Sequence, residues 1–235
     1  MRKLLIIKCG STIPELVARK GDFEDWIISG TGLDRSKVVT VNVEQEEPLA
    51  APDEFSGVII TGSHAMVTDH LPWSEETADW LRQAHNRIPI LGICYGHQLL
   101  GYALGGRVAD NPEGREMGTM SIRFTAAAAA DRLLSILPES IQAQTSHQQS
   151  LIELPPQAIL LGQSEREPHH AFRIGQASWG VQFHPEFDAD ITRTYIDFCA
   201  ELLQAEGQNP ATLKAECRES GAGHLLLQGF AGMLI

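Results

Sequence analysis
A cysteine set among glycines is the residue of this chain best placed to do chemistry. In Gly92-Ile93-Cys94-Tyr95-Gly96-His97-Gln98, the preceding residues 88–93 form an apolar run, and residues 98–104 form an apolar stretch closed by Gly105-Gly106. The first reads as a strand buried on both faces and the second as a helix. Cys94 is therefore predicted at a strand-to-helix turn, where small neighbours let the backbone reverse sharply and leave a nucleophilic sulfur exposed above the sheet edge. The following helix N-terminus favours the thiolate.

A thiol nucleophile needs an imidazole to exchange its proton, and that imidazole needs an orienting acceptor. Of nine histidines, His184 has the best setting, because Val181-Gln182-Phe183-His184-Pro185-Glu186 ends an apolar strand. Pro185 biases His184 toward an extended backbone, and in an extended segment alternate side chains share a side, so Glu186 can accept a hydrogen bond from the His184 ring. His97 falls inside the helix after Cys94 and is expected to pack or cap. The pair His169-His170 has no carboxylate or cysteine spaced in sequence to complete a metal site. No metal and no other cofactor is expected. Acyl transfer also requires donors for an oxyanion. The backbone N–H of Tyr95 supplies one, and the loop Thr61-Gly62-Ser63-His64, which follows the strand Val58-Ile59-Ile60, is expected to supply a second from Gly62 or Ser63.

These residues must be held by a scaffold, and the hydrophobic pattern describes one. Residues 3–8, 37–43, 57–61 and 88–93 read as strands, and residues 75–87 as a helix capped by Ser74, with acidic residues in its first turn. Such alternation predicts an α/β fold with a mostly parallel central sheet and flanking helices. Residues 106–180 carry short β-like runs at 120–124, 159–161 and 171–174, with only 131–137 helical in character, which predicts a small antiparallel flank. Residues 179–183 return to a buried strand, and 191–206 read as one long helix that Gly207 ends. The five-alanine tract at 126–130 carries no functional signal. Residues 1–207 are expected to form one domain and 208–235 a small helical appendage.

Composition narrows the partners. The 235 residues carry a formal charge of -12, which argues against a nucleic-acid or anionic-membrane partner. No apolar run approaches the roughly 18 residues of a membrane span, and the apolar N-terminal run is too short for a signal peptide, so a cytoplasmic location is expected. Cys9, Cys94, Cys199 and Cys217 show neither paired metal spacing nor a disulfide framework, and the three other than Cys94 are expected to be bystanders.

Together these motifs resemble the class I glutamine amidotransferases, in particular the glutaminase domain of GMP synthetase and its stand-alone relatives. Gly92 to Gln98 is similar to that family's nucleophile motif, Val181 to Glu186 to its His-Glu motif, and Ile60-Thr61-Gly62-Ser63 occupies the place of its oxyanion loop. Shorter similarity at Arg115-Glu116-Met117-Gly118 and Thr145-Ser146-His147 extends the match over residues 3–205. The resemblance implies a flavodoxin-like sheet and a Cys94-His184-Glu186 triad. It also implies glutamine-binding contacts at Gln98 and at Ser146, His147, Gln148 and Gln149. Cys94 would attack the γ-carbonyl of glutamine or of another small γ-glutamyl molecule, giving a γ-glutamyl thioester that water converts to glutamate. Two positions depart from the family: Ser63-His64 stands where a glycine and a proline are usual, and Gln148 stands where a glycine is usual. The chain has no glycine-rich phosphate loop, so any ammonia-consuming synthesis is expected on a synthetase subunit in trans. A γ-glutamyl hydrolase or peptidase uses the same thioester chemistry, and a non-catalytic binding or regulatory protein on the same fold is the third alternative.

Overall fold
Uninterrupted Ile, Leu and Val runs form the centre of the molecule. The computed structural model describes residues 2–234. Met1 and Ile235, the outer limits of the core and tail segments read from the sequence, lie outside the described residues. The first half contains β1 (Lys3–Lys8), α1 (Pro14–Lys20), α2 (Phe23–Thr31), β2 (Val38–Asn42), β3 (Phe55–Ile60), α3 (Pro72–Ala84), β4 (Ile90–Ile93) and α4 (Tyr95–Ala103). Seven strands follow: β5 (Arg107–Asp110), β6 (Glu116–Phe124), β7 (Ser140–His147), β8 (Gln149–Glu153), β9 (Ile159–Gln163), β10 (Ala171–Ile174) and β11 (Ser178–Val181). The chain closes with α5 (Ala189–Phe198), α6 (Ala200–Ala205), α7 (Pro210–Glu216) and α8 (Ala222–Gly232).

The main sheet has the order β2-β1-β3-β4-β11-β10-β9-β6-β7. Its first five strands are parallel, and the remaining four extend it as the antiparallel flank that the sequence predicts. A separate antiparallel pair joins β5 to β8. Alternation decides which side chains serve which face. Leu4, Ile6, Ile59, Leu91 and Ile93 pack with Ile27 of α2 and with Leu227 and Phe230 of α8. Leu5, Ile7, Val58, Ile60 and Ile90 pack on the other face with Leu81 of α3 and Leu99 of α4. Both faces are covered, which is why these strands lack polar alternation.

The tail, read from the sequence as an appendage, forms α7 and α8. A methyl group added at Gly30 of α2 would come within 2.4 Å of Leu227, and one at Gly223 within 2.2 Å of the Pro185 carbonyl oxygen. The first turn of α8 thus lies directly on the turn between His184 and Glu186.

Three local expectations need correction. Helix α3 starts at Pro72, whose fixed φ suits a first helical position, so Ser74 is inside the helix and not its cap. Its hydroxyl instead meets the Tyr95 hydroxyl at 2.6 Å. The same helix stops at Ala84, and Asn86 adopts a φ of +63°. The stretch read as one helix over 191–206 is broken at Cys199 into α5 and α6, and α5 is capped by Asp188, which accepts the Ile191 N–H. Residues 131–137 make only a single 3-10 turn, Leu134–Ile136. Asp131 accepts the N–H groups of Leu133 and Leu134 and also binds Arg173 and the Trp179 indole, which ties this segment to the sheet.

Candidate active site
Strands β1, β3, β4 and β11 present their C-terminal ends along one edge, the usual location of sites in open α/β sheets. Cys94 occupies that edge between β4 and α4, with φ +50° and ψ −101°. A non-glycine residue in this region is strained, and strain there requires a surrounding structure that enforces it. The enforcement is visible. The Cys94 N–H donates to the Val181 carbonyl at 2.9 Å. A methyl group at Gly92 would approach the Gly96 carbonyl oxygen to 2.3 Å, and one at Gly96 would approach the Ile60 carbonyl oxygen to 2.6 Å. Only glycine lets the helix start fold back over the strand so closely. Gly92→Ala is therefore expected to destabilise the protein by about 3 kcal/mol, because a backbone contact cannot be relieved by a rotamer change. Urea unfolding would show it as a lower midpoint at unchanged slope; a wild-type midpoint would mean that the turn tolerates a side chain.

His184 is delivered to the same edge just beyond β11. Its N–H donates to the Gln144 carbonyl at 2.8 Å, its Nδ1 lies 2.8 Å from Glu186 Oε1, and Phe187 stacks on the ring at a centroid distance of 3.9 Å. Backbone, carboxylate and aromatic face together fix the imidazole. Burial alone would lower its pKa, but the Glu186 carboxylate and the neighbouring Cys94 sulfur outweigh burial and raise it to about 10.

The loop after β3 closes over this pair. The Gly96 N–H donates to the Thr61 carbonyl at 3.2 Å, and a methyl group at Gly62 would meet His184 Cε1 at 3.0 Å. Among the described residues, the backbone N–H groups of Gly62, Ser63 and Tyr95 have no hydrogen-bond acceptor. His64, at the position where the resembled family carries proline, places Nε2 3.2 Å from the Tyr195 hydroxyl, which in turn meets the Thr12 hydroxyl at 2.7 Å. Burial, reinforced by the charge of His184, holds the His64 pKa below its ordinary value.

Cys94 opens into a cavity of about 160 Å³, which Gln98, Ser146, His147, Gln148 and Gln149 also line. The cysteine sulfur lies 3.7 Å from the Ser146 carbonyl oxygen. The Gln98 amide donates to the Gln149 carbonyl at 2.7 Å and to Gln182 Oε1 at 3.0 Å, so its nitrogen is held by the protein. The Gln182 amide then reaches the Cys94 sulfur at 3.6 Å. Sequence reading passed over Gln182. Its signal was its place in Val181-Gln182-Phe183-His184, directly after the buried strand and two residues before His184.

The sequence also left His169-His170 without a carboxylate, and this is corrected by sheet register. Pairing of β6 with β7 sets Glu116 opposite His147, and Glu116 Oε2 lies 3.1 Å from His147 Nε2 and 2.9 Å from His170 Nε2. Its other oxygen accepts the Ser164 hydroxyl at 2.8 Å, and His147 Nδ1 faces the Gln149 carbonyl at 3.0 Å. Burial would raise the Glu116 pKa, but the two imidazoles outweigh it and hold the carboxyl far below the carboxylate range. The three are donors of the kind that bind divalent metals, all buried. Each facing atom already has a hydrogen-bonding partner inside the cluster, which braces the β7–β8 turn that forms one wall of the cavity. Burial also acts on one further imidazole and on three other thiols. His97 packs on Phe172 with its pKa lowered to about 3, and burial pushes the Cys9, Cys199 and Cys217 thiols up.

Residues 26–198 match the family model for class I glutamine amidotransferases, and the chain belongs to that family of enzymes. It is 30% identical over 208 residues to a GMP synthase [glutamine-hydrolyzing] of Porphyromonas gingivalis, covering 85% of this chain and 37% of that protein. It is 30% identical over 151 residues to gamma-glutamyl peptidase 3 of Arabidopsis thaliana, covering 62% of this chain and 60% of the peptidase. The chain thus spans less than two thirds of either relative. In fold it is similar to a glutamine amido transferase from Methylobacillus flagellatus, with a TM-score of 0.79 at 20% identity over 100% of this chain and 94% of that one. Among the described residues no helix is long and apolar enough to cross a membrane.

Proposed function
We propose that this enzyme hydrolyses γ-glutamyl amides through a Cys94 thioester, with glutamine as the leading substrate. The observation that carries the proposal is the strained Cys94 at the mouth of the cavity, beside a buried His184 that Glu186 orients and holds cationic. In the first half-reaction the Cys94 thiolate attacks the γ-carbonyl carbon, and the N–H groups of Tyr95 and of Gly62 or Ser63 receive the developing oxyanion. The C–N bond breaks as the His184 imidazolium gives its proton to the departing nitrogen. In the second, neutral His184 takes a proton from water, hydroxide adds to the thioester, and glutamate leaves as the thiolate is regenerated. Gln98, Ser146, His147, Gln148 and Gln149 form the pocket wall that receives the glutamyl half.

Glutaminase activity feeding a synthetase in trans is supported by similarity to GMP synthase. A γ-glutamyl peptidase reading has its own support, because the cavity continues past Cys94 to Met66, Tyr195 and a 62%-exposed Phe198, which leaves apolar room for a larger leaving group. The four free cysteines fit a reducing, cytoplasmic setting. Glutamate release from glutamine, γ-glutamyl peptides and glutathione adducts, measured with the isolated protein and after pull-down from its native lysate, separates the readings. Under the amidotransferase reading, glutamine turnover is slow alone and rises with a recovered partner. Fast cleavage of a γ-glutamyl peptide by the isolated chain, with glutamine ignored and no partner recovered, would decide for the peptidase.

A further inference from the structure
The charge of the cavity wall differs from that of the whole chain. Asp and Glu number 30 against 18 Lys and Arg, yet none of the described residues lining the cavity is acidic, and Arg115 is its one permanent cation. Arg115 stands immediately before β6, and its side chain is only 11% exposed. Its Nη2 donates to Gln148 Oε1 at 2.7 Å. Its Nε lies 3.3 Å from both oxygens of Glu206, a long contact to a carboxylate that is about a third exposed and so screened by water. Among the described residues, Nη1 donates to no group. Gln148, in the place where the resembled family carries glycine, is itself a cavity residue, and its amide oxygen is what steers the guanidinium. The arrangement is a planar cation with free N–H groups, positioned by a side chain that glycine could not supply, beside a pocket whose lining holds no carboxylate. Such a group pairs with a carboxylate in preference to a neutral ligand.

Resting on the γ-glutamyl reading above, we propose that Arg115 is a specificity-determining residue that reads a carboxylate of the substrate, so that the acyl donor is an anionic γ-glutamyl compound. The carboxylate has two sources, the α-carboxylate of the glutamyl half or the C-terminal carboxylate of an amino acid acting as leaving group. Binding is measured by calorimetry on Cys94→Ala, where no turnover intervenes. Two matched pairs serve as probes: glutamine with its α-carboxamide, and a γ-glutamyl amino acid with its C-terminal amide. The pair in which the acid binds about 10- to 100-fold tighter than the amide identifies the source. Adding Arg115→Met should bring that ratio to within about twofold, and Arg115→Lys should retain part of it. A merely structural arginine would weaken acid and amide alike and leave the ratio unchanged. A ratio that persists in Cys94→Ala/Arg115→Met, or acid and amide bound equally by Cys94→Ala in both pairs, overturns the proposal. Glutamate release by the wild-type protein is read separately. An Arg115-dependent ratio without release from any probe would reject the thioester reaction and leave Arg115 as the carboxylate reader.

Discussion

Cys94→Ala is expected to lower glutamate release at least about 10⁴-fold, with Cys9→Ser, Cys199→Ser and Cys217→Ser near wild type. The reason is positional. Cys94 alone sits at a helix N-terminus beside a buried imidazolium, whereas burial disfavours the thiolate of the other three. A glutamine-like electrophile should label the wild-type protein once and fail to label Cys94→Ala, which mass spectrometry of the peptides would read directly. Label found on Cys9 or Cys199 would remove Cys94 from the mechanism. Cys94→Ala should still unfold in one cooperative thermal transition, which shows that the loss is not a failure to fold.

The second large effect is the division between His184 and Glu186. On the proposed mechanism, His184→Ala removes the group that moves the proton, whereas Glu186→Gln keeps an oxygen near Nδ1 and removes the charge. Turnover at saturating substrate should therefore fall about tenfold further for His184→Ala than for Glu186→Gln. Equal severity of His97→Ala, with folding intact, would mean that the base has been misassigned. Glu186→Gln also has a signature in stability. The folded His184 pKa of about 10 lies above its ordinary 6.5. The stabilisation linked to that proton is complete below pH 6.5 and is lost as pH rises through 10. Without the Glu186 carboxylate the pKa falls and the linked stabilisation goes with it. Wild type should exceed Glu186→Gln by a few kcal/mol at pH 6, and the gap should narrow steadily toward pH 10 in urea titrations. A gap independent of pH would mean that Glu186 does not govern the His184 proton.

What the sequence reveals follows the range of the forces involved. The strands of the parallel half are continuous apolar runs, and the elbow at Cys94 is written in adjacent glycines, so both are legible locally. The His184-Glu186 contact is legible from the two-residue spacing, but the pair meets across a turn, with the Phe187 N–H donating to the His184 carbonyl at 3.4 Å, and not along the extended segment that alternation predicts. Glu116, His147 and His170 escape such reading, since their meeting depends on β6 pairing with β7 and on where β10 begins. Arg115 is similar: its motif was visible, but its orientation depends on Gln148 across the β7–β8 turn and on Glu206 at the end of α6. The false cap at Ser74 shows the converse error. A good capping residue was present, but Pro72 two positions earlier had already opened the helix. The unbroken reading of 191–206 failed because hydrophobic spacing does not report the bend at Cys199.

The sheet order has a consequence for the chain while it is still being made. Strand β4, which ends one residue before Cys94, is flanked by β3, already synthesised, and by β11, which follows some 85 residues later. A ribosome-bound chain carrying only the first four strands therefore presents β4 as an open, wholly apolar border, the kind of template on which foreign strands assemble. The thiol at its end then lacks His184, which follows β11. On the proposed mechanism, reactivity is withheld until β11 inserts, and the same insertion seals the border. Chains released early, before β11 has been added, should collect as aggregates with a dormant cysteine, whereas those released after α8 should disperse and react.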